Sequence, residues 1–221
     1  IESPDLRNVD FHEGTLKRRL GHQRMHNNIL RDCSIRLDGA NPISNQSGQY
    51  VRIANSSAGY RPGNKLFLMI DVVMRDVKDV GATPDESFIL SRGHGTGANR
   101  YLSISYEPDT PGWTVRAYDL DGTANRTWSV TDGSAPTDII NQYRRLEIEC
   151  TTIGSNVYTF RVLKADGTVV GTDTETVATW QTAGNLGSAT GWVLGADQSS
   201  AGVAVADTYA HVTLANFAVW D

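Results

Sequence analysis

The sequence predicts an all-β fold in which two antiparallel sheets pack into a sandwich. Three observations support this prediction. Short runs with alternating apolar and polar residues recur along the chain, turn residues separate these runs, and no segment carries a sustained helical stripe. Spacings of this kind are typical of sandwiches. A chain of 221 residues is long enough to bury the core of one large β domain.

The clearest of these runs lie between residues 143 and 173. Apolar positions alternate with polar ones on both sides of the turn at residues 153–156, as at Leu146, Ile148, Cys150, Tyr158, Phe160 and Val162. A second turn at residues 165–167 returns the chain as a third strand through Val169 and Val170. Three consecutive strands without a helix form a sheet with one apolar face, so a second sheet has to cover it.

The remaining strands are predicted in chain order at residues 33–37, 48–53, 65–74, 88–90, 101–106, 113–118, 191–195 and 211–220, which makes about eleven with the hairpin and its return strand. The run at residues 65–74 is almost continuously apolar, which predicts a central strand covered on both sides. Asp71 is its one acid. A buried carboxylate requires a charged or hydrogen-bonded partner, so Asp71 is expected to point to a concave outer face that solvent or a ligand reaches.

Residues 1–30 have few apolar residues and no strand or helix period. They are predicted to form an N-terminal extended arm or linker, and residues 31–221 are predicted to form the folded domain. The arm is expected to pack on another chain or on the outside of the sandwich.

Composition excludes some classes of partner. The net charge of −5 gives no general attraction for nucleic acid, and no apolar run approaches the length of a membrane span, so neither nucleic-acid binding nor membrane insertion is predicted. Cys33 and Cys150 lie outside any C-x-x-C pair. They are either one disulfide or two buried free thiols, and the sequence leaves both alternatives open.

The order of the strands resembles that of the laminin G-like, concanavalin A-like lectin and glucanase superfamily. The resemblance covers about residues 31–221 and rests on the succession GQYVRI, LFLMIDV, FILSRG, YLSI, YRRLEI, VYTFRVLKADGTVVG, WVLGA and VTLANFAVWD. It implies a two-sheet jelly roll whose closing strand returns beside the first strand, with the concave sheet as the ligand face. Residues 8–21 resemble segments near the start of some bacteriophage virion proteins, which implies that the arm contacts other virion proteins.

Catalytic patterns of this superfamily are incomplete in the sequence. Glycoside hydrolases on the fold need carboxylates alternating as E-x-D-x-x-E, and the nearest pair, Glu147 and Glu149, is better explained as a solvated outer face. Alginate-lyase relatives carry R-x-E-x-R and Q-x-H strands, and this chain has Arg145 and Glu147 without a Q-x-H. No catalytic residue is predicted.

Binding residues are predicted from the chemistry of sugars and of calcium. Trp113 and Tyr118 are candidates for stacking on a pyranose ring, with Asp71, Arg92 and His94 as polar partners. Calcium is frequent on laminin G-like domains, and Asp119 and Asp121 are the candidate calcium ligands because loop carboxylates are typical of such sites.

The sequence therefore predicts a non-catalytic carbohydrate-recognition or structural module whose partner is a glycan or polysaccharide. Its expected location is extracellular or on the surface of a bacteriophage virion, as a decoration or tail-associated protein. The alternative is a secreted polysaccharide lyase or glycoside hydrolase on the same fold.

Overall fold

A computed structural model describes residues 9–12, 15–18, 33–37, 50–53, 67–77, 86–93, 100–118, 125–152, 156–177, 191–200, 203–204 and 208–220. In chain order their strands are β1 (Val9–His12), β2 (Thr15–Arg18), β3 (Cys33–Leu37), β4 (Tyr50–Ile53), β5 (Phe67–Met74), β6 (Ser87–Gly93), β7 (Arg100–Glu107), β8 (Gly112–Tyr118), β9 (Asn125–Thr131), β10 (Tyr143–Thr152), β11 (Val157–Leu163), β12 (Val169–Thr176), β13 (Trp192–Leu194), β14 (Gln198–Ser200), β15 (Val203–Ala204) and β16 (Val212–Trp220). A short 3₁₀ helix, Pro136–Ile139, precedes β10.

These strands form two large antiparallel sheets, which confirms the predicted all-β sandwich. Sheet A has seven strands in the order β1-β4-β13-β6-β7-β8-β9, and sheet B has seven in the order β12-β11-β10-β5-β16-β3-β2. The strands β14 and β15 pair only with each other. The closing strand β16 lies between β5 and β3, as the superfamily resemblance implies.

The core lies between the two sheets and is built from alternate residues of their strands. In β5 the side chains of Leu68, Ile70, Val72 and Met74 belong to this core, whereas Phe67, Met69 and Val73 are only half-buried on the opposite face. The strand is central, as predicted, but only its inner face is fully covered. The largest fully buried side chains include Trp113, Trp128, Trp192, Phe160 and Phe217.

The described part of the arm consists of two edge strands. β1 pairs with β4 at one edge of sheet A, and β2 pairs with β3 at one edge of sheet B. Each segment is a four-residue strand, and pairing through backbone hydrogen bonds needs no apolar period in the sequence. The division at residue 30 stays a prediction.

A chain that begins at Arg31 is expected to fold and to unfold cooperatively, because it keeps every core residue that the structure describes. Loss of β1 and β2 exposes the edges of β4 and β3, so this chain should also aggregate more readily. Urea unfolding followed by tryptophan fluorescence, with light scattering, measures both effects. A non-cooperative transition would show that the arm belongs to the folded unit.

Two further expectations can be compared with the structure. Cys150 is a free, half-buried thiol, so the alternative of a Cys33–Cys150 disulfide is wrong. No helix in the described ranges has the length and apolar character needed to cross a membrane.

Candidate functional site

The outer face of sheet B carries a polar cluster centred on Asp71. Because side chains alternate along a strand, Asp71 lies on the face opposite the core residues Ile70 and Val72. Its register neighbours are Arg145 on β10 and Ala215 on β16. Three strands therefore bring together the groups that we call the Asp71 cluster, namely Asp71, Tyr143, Arg145 and Asn216.

Hydrogen bonds to the carboxylate hold this cluster in place. Arg145 donates from Nε to Oδ1 at 2.8 Å and from an Nη to Oδ2 at 3.3 Å, and Asn216 donates its amide to Oδ2 at 2.5 Å. Asn216 reaches the carboxylate because it has a positive φ of 48° where the β16–β5 register shifts. Asparagine tolerates this left-handed conformation better than most residues do.

The prediction for Asp71 is therefore correct in part. The carboxylate points away from the core and has the charged partner that burial requires. However, Asp71 is only 5% exposed, and both of its oxygens accept hydrogen bonds from the cluster. Asp71 thus orients its neighbours, and Arg145 is more accessible than Asp71, because its side chain is 36% exposed.

The cluster also changes the protonation of its members. Burial, followed by the hydrogen bond to Asp71, raises the pKa of Tyr143 to about 12. The hydrogen bond from Arg145 to Asp71 raises the pKa of the guanidinium further above its ordinary value. At neutral pH the cluster therefore contains a protonated phenol and a permanent cation.

Replacement of Asp71 with asparagine is expected to lower the pKa of Tyr143 towards its ordinary value of 10.0, because the hydrogen bond and charge of Asp71 both raise it. NMR titration of labelled tyrosines measures this change. Tyr106 is the internal control, because its pKa is also raised to about 12 but by burial and by Asp132 and Asp138. Equal shifts at both tyrosines would contradict the specific contact with Asp71.

The same pKa shift predicts a loss of stability at high pH. Tyr143 ionises near pH 10.0 when unfolded and near pH 12 when folded. Its contribution is therefore fully present below pH 10 and is lost as the pH rises through about 12. Tyr143→Phe should reduce the fall in the free energy of unfolding over this interval, measured by urea titration at a series of pH values.

Other charges on this face are paired with one another. Arg161 forms ion pairs with Glu147 at 3.7 Å and with Glu149. Arg75 donates to the hydroxyl of Thr213 at 3.0 Å and to the amide oxygen of Asn141 at 2.9 Å. The two glutamates thus lie on a partly solvated outer face, as the sequence indicates.

Trp113 was predicted to stack on a sugar, and this prediction is wrong. Its ring is fully buried, contacts Tyr106 edge-on at a centroid distance of 5.1 Å, and donates from Nε1 to Asp132 at 2.7 Å. The residues that alternate with it, Thr114 and Arg116, occupy the outer face of sheet A instead. A buried ring cannot form a stacking surface for a ligand.

Arg92 was predicted as a polar partner for a sugar, and this prediction is also wrong, because the residue is buried. It lies opposite Trp192 in the register of β6 and β13, and its guanidinium carbon is 5.0 Å from the centre of the Trp192 ring. Arg92 is 1% exposed. An indole face stabilises a guanidinium in such a place by a cation–π interaction.

The remaining predicted residues lie outside the described part or at its limit. Tyr118 ends β8 opposite Asn125, and its side chain is outside the described residues, as are His94, Asp119 and Asp121. Among the described residues, no three of His, Cys, Asp and Glu form a group that could hold a metal ion. Calcium binding by Asp119 and Asp121 stays a prediction.

The outer face of sheet A carries a second polar group centred on Arg116. Arg116 donates to both oxygens of Glu86 at 2.7 and 2.5 Å, to Glu107 at 2.7 Å and to the hydroxyl of Ser105 at 3.3 Å. Two carboxylates therefore share one cation. The small side chains Ser103, Ser105 and Thr114 lie beside this group and are buried.

Comparison with solved structures shows how widely this fold occurs. The LG1-3 region of the laminin α2 chain has a TM-score of 0.57 at 10% identity, over 84% of this chain and 30% of that one. The binding domain of Paraclostridial Mosquitocidal Protein 1 has a TM-score of 0.53 at 11% identity, over 93% and 44%. The botulinum neurotoxin serotype G binding domain has a TM-score of 0.53 at 10% identity, over 96% and 41%.

The chain spans less than half the length of each of these structures. No protein-family model matches the sequence, and no curated protein matches it. What the chain shares with these structures is the arrangement of strands. The chain therefore has the jelly-roll fold of the laminin G-like, concanavalin A-like proteins.

Proposed function

We propose that the chain is a non-catalytic glycan-binding module and that the Asp71 cluster on the outer face of sheet B is its binding surface. The observation that carries the proposal is the set of hydrogen bonds by which one buried carboxylate orients Arg145, Asn216 and Tyr143. Preorganised polar groups of this kind reduce the entropy lost when a ligand binds.

The chemistry of the cluster fits the hydroxyl groups of a sugar. A sugar hydroxyl both donates and accepts hydrogen bonds, so its site needs donors and acceptors together. Arg145 has N–H groups beyond those bound to Asp71, and the Asn216 amide has an oxygen acceptor. Tyr143 adds a half-buried aromatic ring that can contact the apolar face of a pyranose.

The arrangement favours binding over cleavage. General acid–base catalysis requires two groups whose environments push their pKa values apart. The nearest carboxylate pair, Glu147 and Glu149, is bound in ion pairs to Arg161 on the outer face of sheet B. With a pKa of about 12, Tyr143 remains protonated at neutral pH and is a poor general base.

The neighbours in fold support a role in recognition. Two of the structures with TM-scores above 0.5 are, by name, the binding domains of a botulinum neurotoxin and of a mosquitocidal protein. An extracellular location suits such a role. Contact of residues 1–30 with other virion proteins rests on the sequence resemblance and stays a second, independent proposal.

The test combines a glycan array with calorimetry on the best neutral oligosaccharide. Arg145→Ala and Asn216→Ala are each expected to weaken binding, the first by about tenfold or more because it removes a charged hydrogen-bond donor. Arg126→Ala removes an exposed arginine from the far edge of sheet A and serves as the control, with no change expected.

Circular dichroism has to show that Arg145→Ala is folded, since it leaves Asp71 without its cation. Arg145→Lys, which keeps the charge, is the second variant and should retain part of the affinity. Binding that is unaffected by all three changes in the cluster would overturn the assignment. New reducing ends, or absorbance near 235 nm from unsaturated uronates, would favour the lyase or hydrolase alternative.

A further inference from the structure

The outer face of sheet B continues beyond the proposed binding surface to a second polar group around Arg75. Arg75 directly follows β5. Its Nε donates to the hydroxyl of Thr213 at 3.0 Å, and an Nη donates to the amide oxygen of Asn141 at 2.9 Å. In the strand register Val73 has Thr213 on one side and Tyr143 on the other. The group around Arg75 therefore adjoins the proposed binding surface through Tyr143.

This second group is accessible to solvent. The side chains of Arg75, Thr213 and Tyr143 are half-buried, and Asn141 is exposed. The backbone N–H of Asn141 donates to the carbonyl oxygen of Met74 at 2.8 Å, and Asn141 has a positive φ of 59°, which asparagine tolerates better than most residues do. The amide and the hydroxyl therefore fix the direction of the guanidinium without withdrawing it from the surface.

Arg75 differs from the other arginines of this face in the charge of its partners. Arg145 and Arg161 donate to carboxylates, whereas both acceptors of Arg75 in the described part of the chain are uncharged. Asp76 is the next residue, but it is exposed and its Oδ1 accepts from the backbone N–H of Val77. The positive charge of Arg75 is thus not neutralised by its contacts, and further N–H groups of the guanidinium remain available for a ligand.

We propose that Arg75, Asn141 and Thr213, which we call the Arg75 subsite, bind the carboxylate of an acidic saccharide that also lies on the Asp71 cluster. This inference rests on the function proposed for that cluster and names the class of glycan that it binds, which is a saccharide that contains uronic acid. The guanidinium of Arg75 binds the carboxylate, and Asn141 and Thr213 position the guanidinium. The ring of Tyr143 contacts the sugar between the two groups.

The spacing of the two groups fits an oligosaccharide that lies along the strand. Asp71, Val73 and Arg75 are alternate residues of the chain, so the two ends of this run are roughly 13 Å apart at about 3.3 Å per residue. A short oligosaccharide spans this distance, whereas a single sugar ring does not. Tyr143 is the register neighbour of Val73 and lies midway along the run, where its ring can contact the apolar face of a sugar.

The charge and shape of the subsite favour a carboxylate on a sugar over a neutral group or a free anion. The planar guanidinium matches the two oxygens of a carboxylate, and hydrogen bonds between charged groups are stronger than those between neutral groups. Val73 and Tyr143 place a half-buried apolar surface beside the cation, which a phosphate ion does not use. A sugar that carries a carboxylate uses both the charge and this surface.

Trigalacturonate and trimannuronate, each with its methyl ester, are the probes, because the members of each pair share a sugar backbone and differ in charge. In calorimetry the acid of one pair or both is expected to bind about tenfold more tightly than its ester. Added NaCl should weaken the binding of the acid and not that of the ester. Arg75→Gln should remove most of the difference and leave the affinity for the ester nearly unchanged. Asp76→Asn removes a nearby negative charge and should increase the affinity for the acid.

Two variants test whether the effect belongs to the Arg75 guanidinium. Arg126→Gln, on the distant strand β9, makes the same change of charge at an exposed residue and should bind the acid as the unaltered protein does. Arg75→Lys keeps the charge but lacks the planar fork, so it should retain only part of the difference between acid and ester. Equal affinity for acid and ester in both pairs, failure of both acids to bind, or an unchanged difference in Arg75→Gln would overturn this inference.

Arg145→Ala separates this inference from the proposed function. It should weaken the binding of acid and ester alike, because it removes a donor of the Asp71 cluster. If it does so while Arg75→Gln changes nothing, only the Arg75 subsite is wrong. If Arg145→Ala binds both probes as the unaltered protein does, the proposed function and the position of the ligand are overturned together. Displacement of the acid by an equal concentration of inorganic phosphate would overturn the choice of a carboxylated sugar.

Discussion

Replacement of Asp132 with alanine is expected to destabilise the protein by about 3–5 kcal/mol, because it leaves a buried arginine without its counter-ion. Arg144 donates from Nε to Oδ2 of Asp132 at 2.7 Å and from an Nη to Oδ1 at 2.9 Å. Both residues are buried. Asp132 follows β9 of sheet A and Arg144 lies in β10 of sheet B, so the ion pair connects the two sheets.

The same carboxylate also holds a core tryptophan. The Nε1 of Trp113 donates to Oδ2 of Asp132 at 2.7 Å, and Trp113 in turn packs against Tyr106. Alanine at position 132 therefore leaves a buried indole N–H unpaired as well. The measurement is urea unfolding with near-ultraviolet circular dichroism, which reports the packing of the tryptophan.

Three variants distinguish charge from packing at this position. Asp132→Asn keeps an acceptor for Trp113 but not the charge, so it should be less harmful than alanine. A joint Asp132→Leu and Arg144→Met change removes both charges and should recover part of the stability. Asp138→Ala removes a nearby exposed carboxylate that accepts only from the backbone of residues 134 and 135, and it should cost much less. Equal losses for Asp132→Ala and Asp138→Ala would contradict the importance of the buried pair.

Alternation along the strands predicted the fold well because burial has a period of two in a sandwich. The hairpin around Leu146 and Phe160 and the closing strand are where the pattern placed them. The sequence analysis did not predict β9. Among its described side chains Trp128 and Val130 are buried, and the residues that precede and separate them are exposed, so the alternating pattern is short. β1 and β2 were missed because backbone pairing, which leaves no trace in composition, is what places them.

The site was harder to predict because alternation shows which residues share a face but not which face is the core. Trp113 and Arg92 belong to the inner face of sheet A, and an arginine there is accommodated by the Trp192 ring, which the sequence does not indicate. Asp71 was identified because it interrupts an apolar run. Its partners Arg145 and Asn216 are 74 and 145 residues away, so only the order of the strands reveals them.

Gly112→Ala is expected to cost about 1–3 kcal/mol, because the new methyl group would overlap the backbone of a neighbouring strand. A Cβ at Gly112 would lie 2.8 Å from the carbonyl oxygen of Val130, 3.2 Å from that of Thr110 and 3.3 Å from the Cα of Thr131. None of these atoms can rotate away, so β8 and β9 would have to move apart.

Gly171→Ala provides the matched comparison. Its Cβ would lie 2.7 Å from the Cγ1 methyl group of Val130, which is a side-chain atom and not a backbone atom. Val130→Ala removes that methyl group but not the carbonyl, so it should relieve the cost of Gly171→Ala and leave the cost of Gly112→Ala unchanged. A double-mutant cycle from urea midpoints measures the two coupling energies, and relief of Gly112→Ala by Val130→Ala would show that the backbone contact does not limit this site.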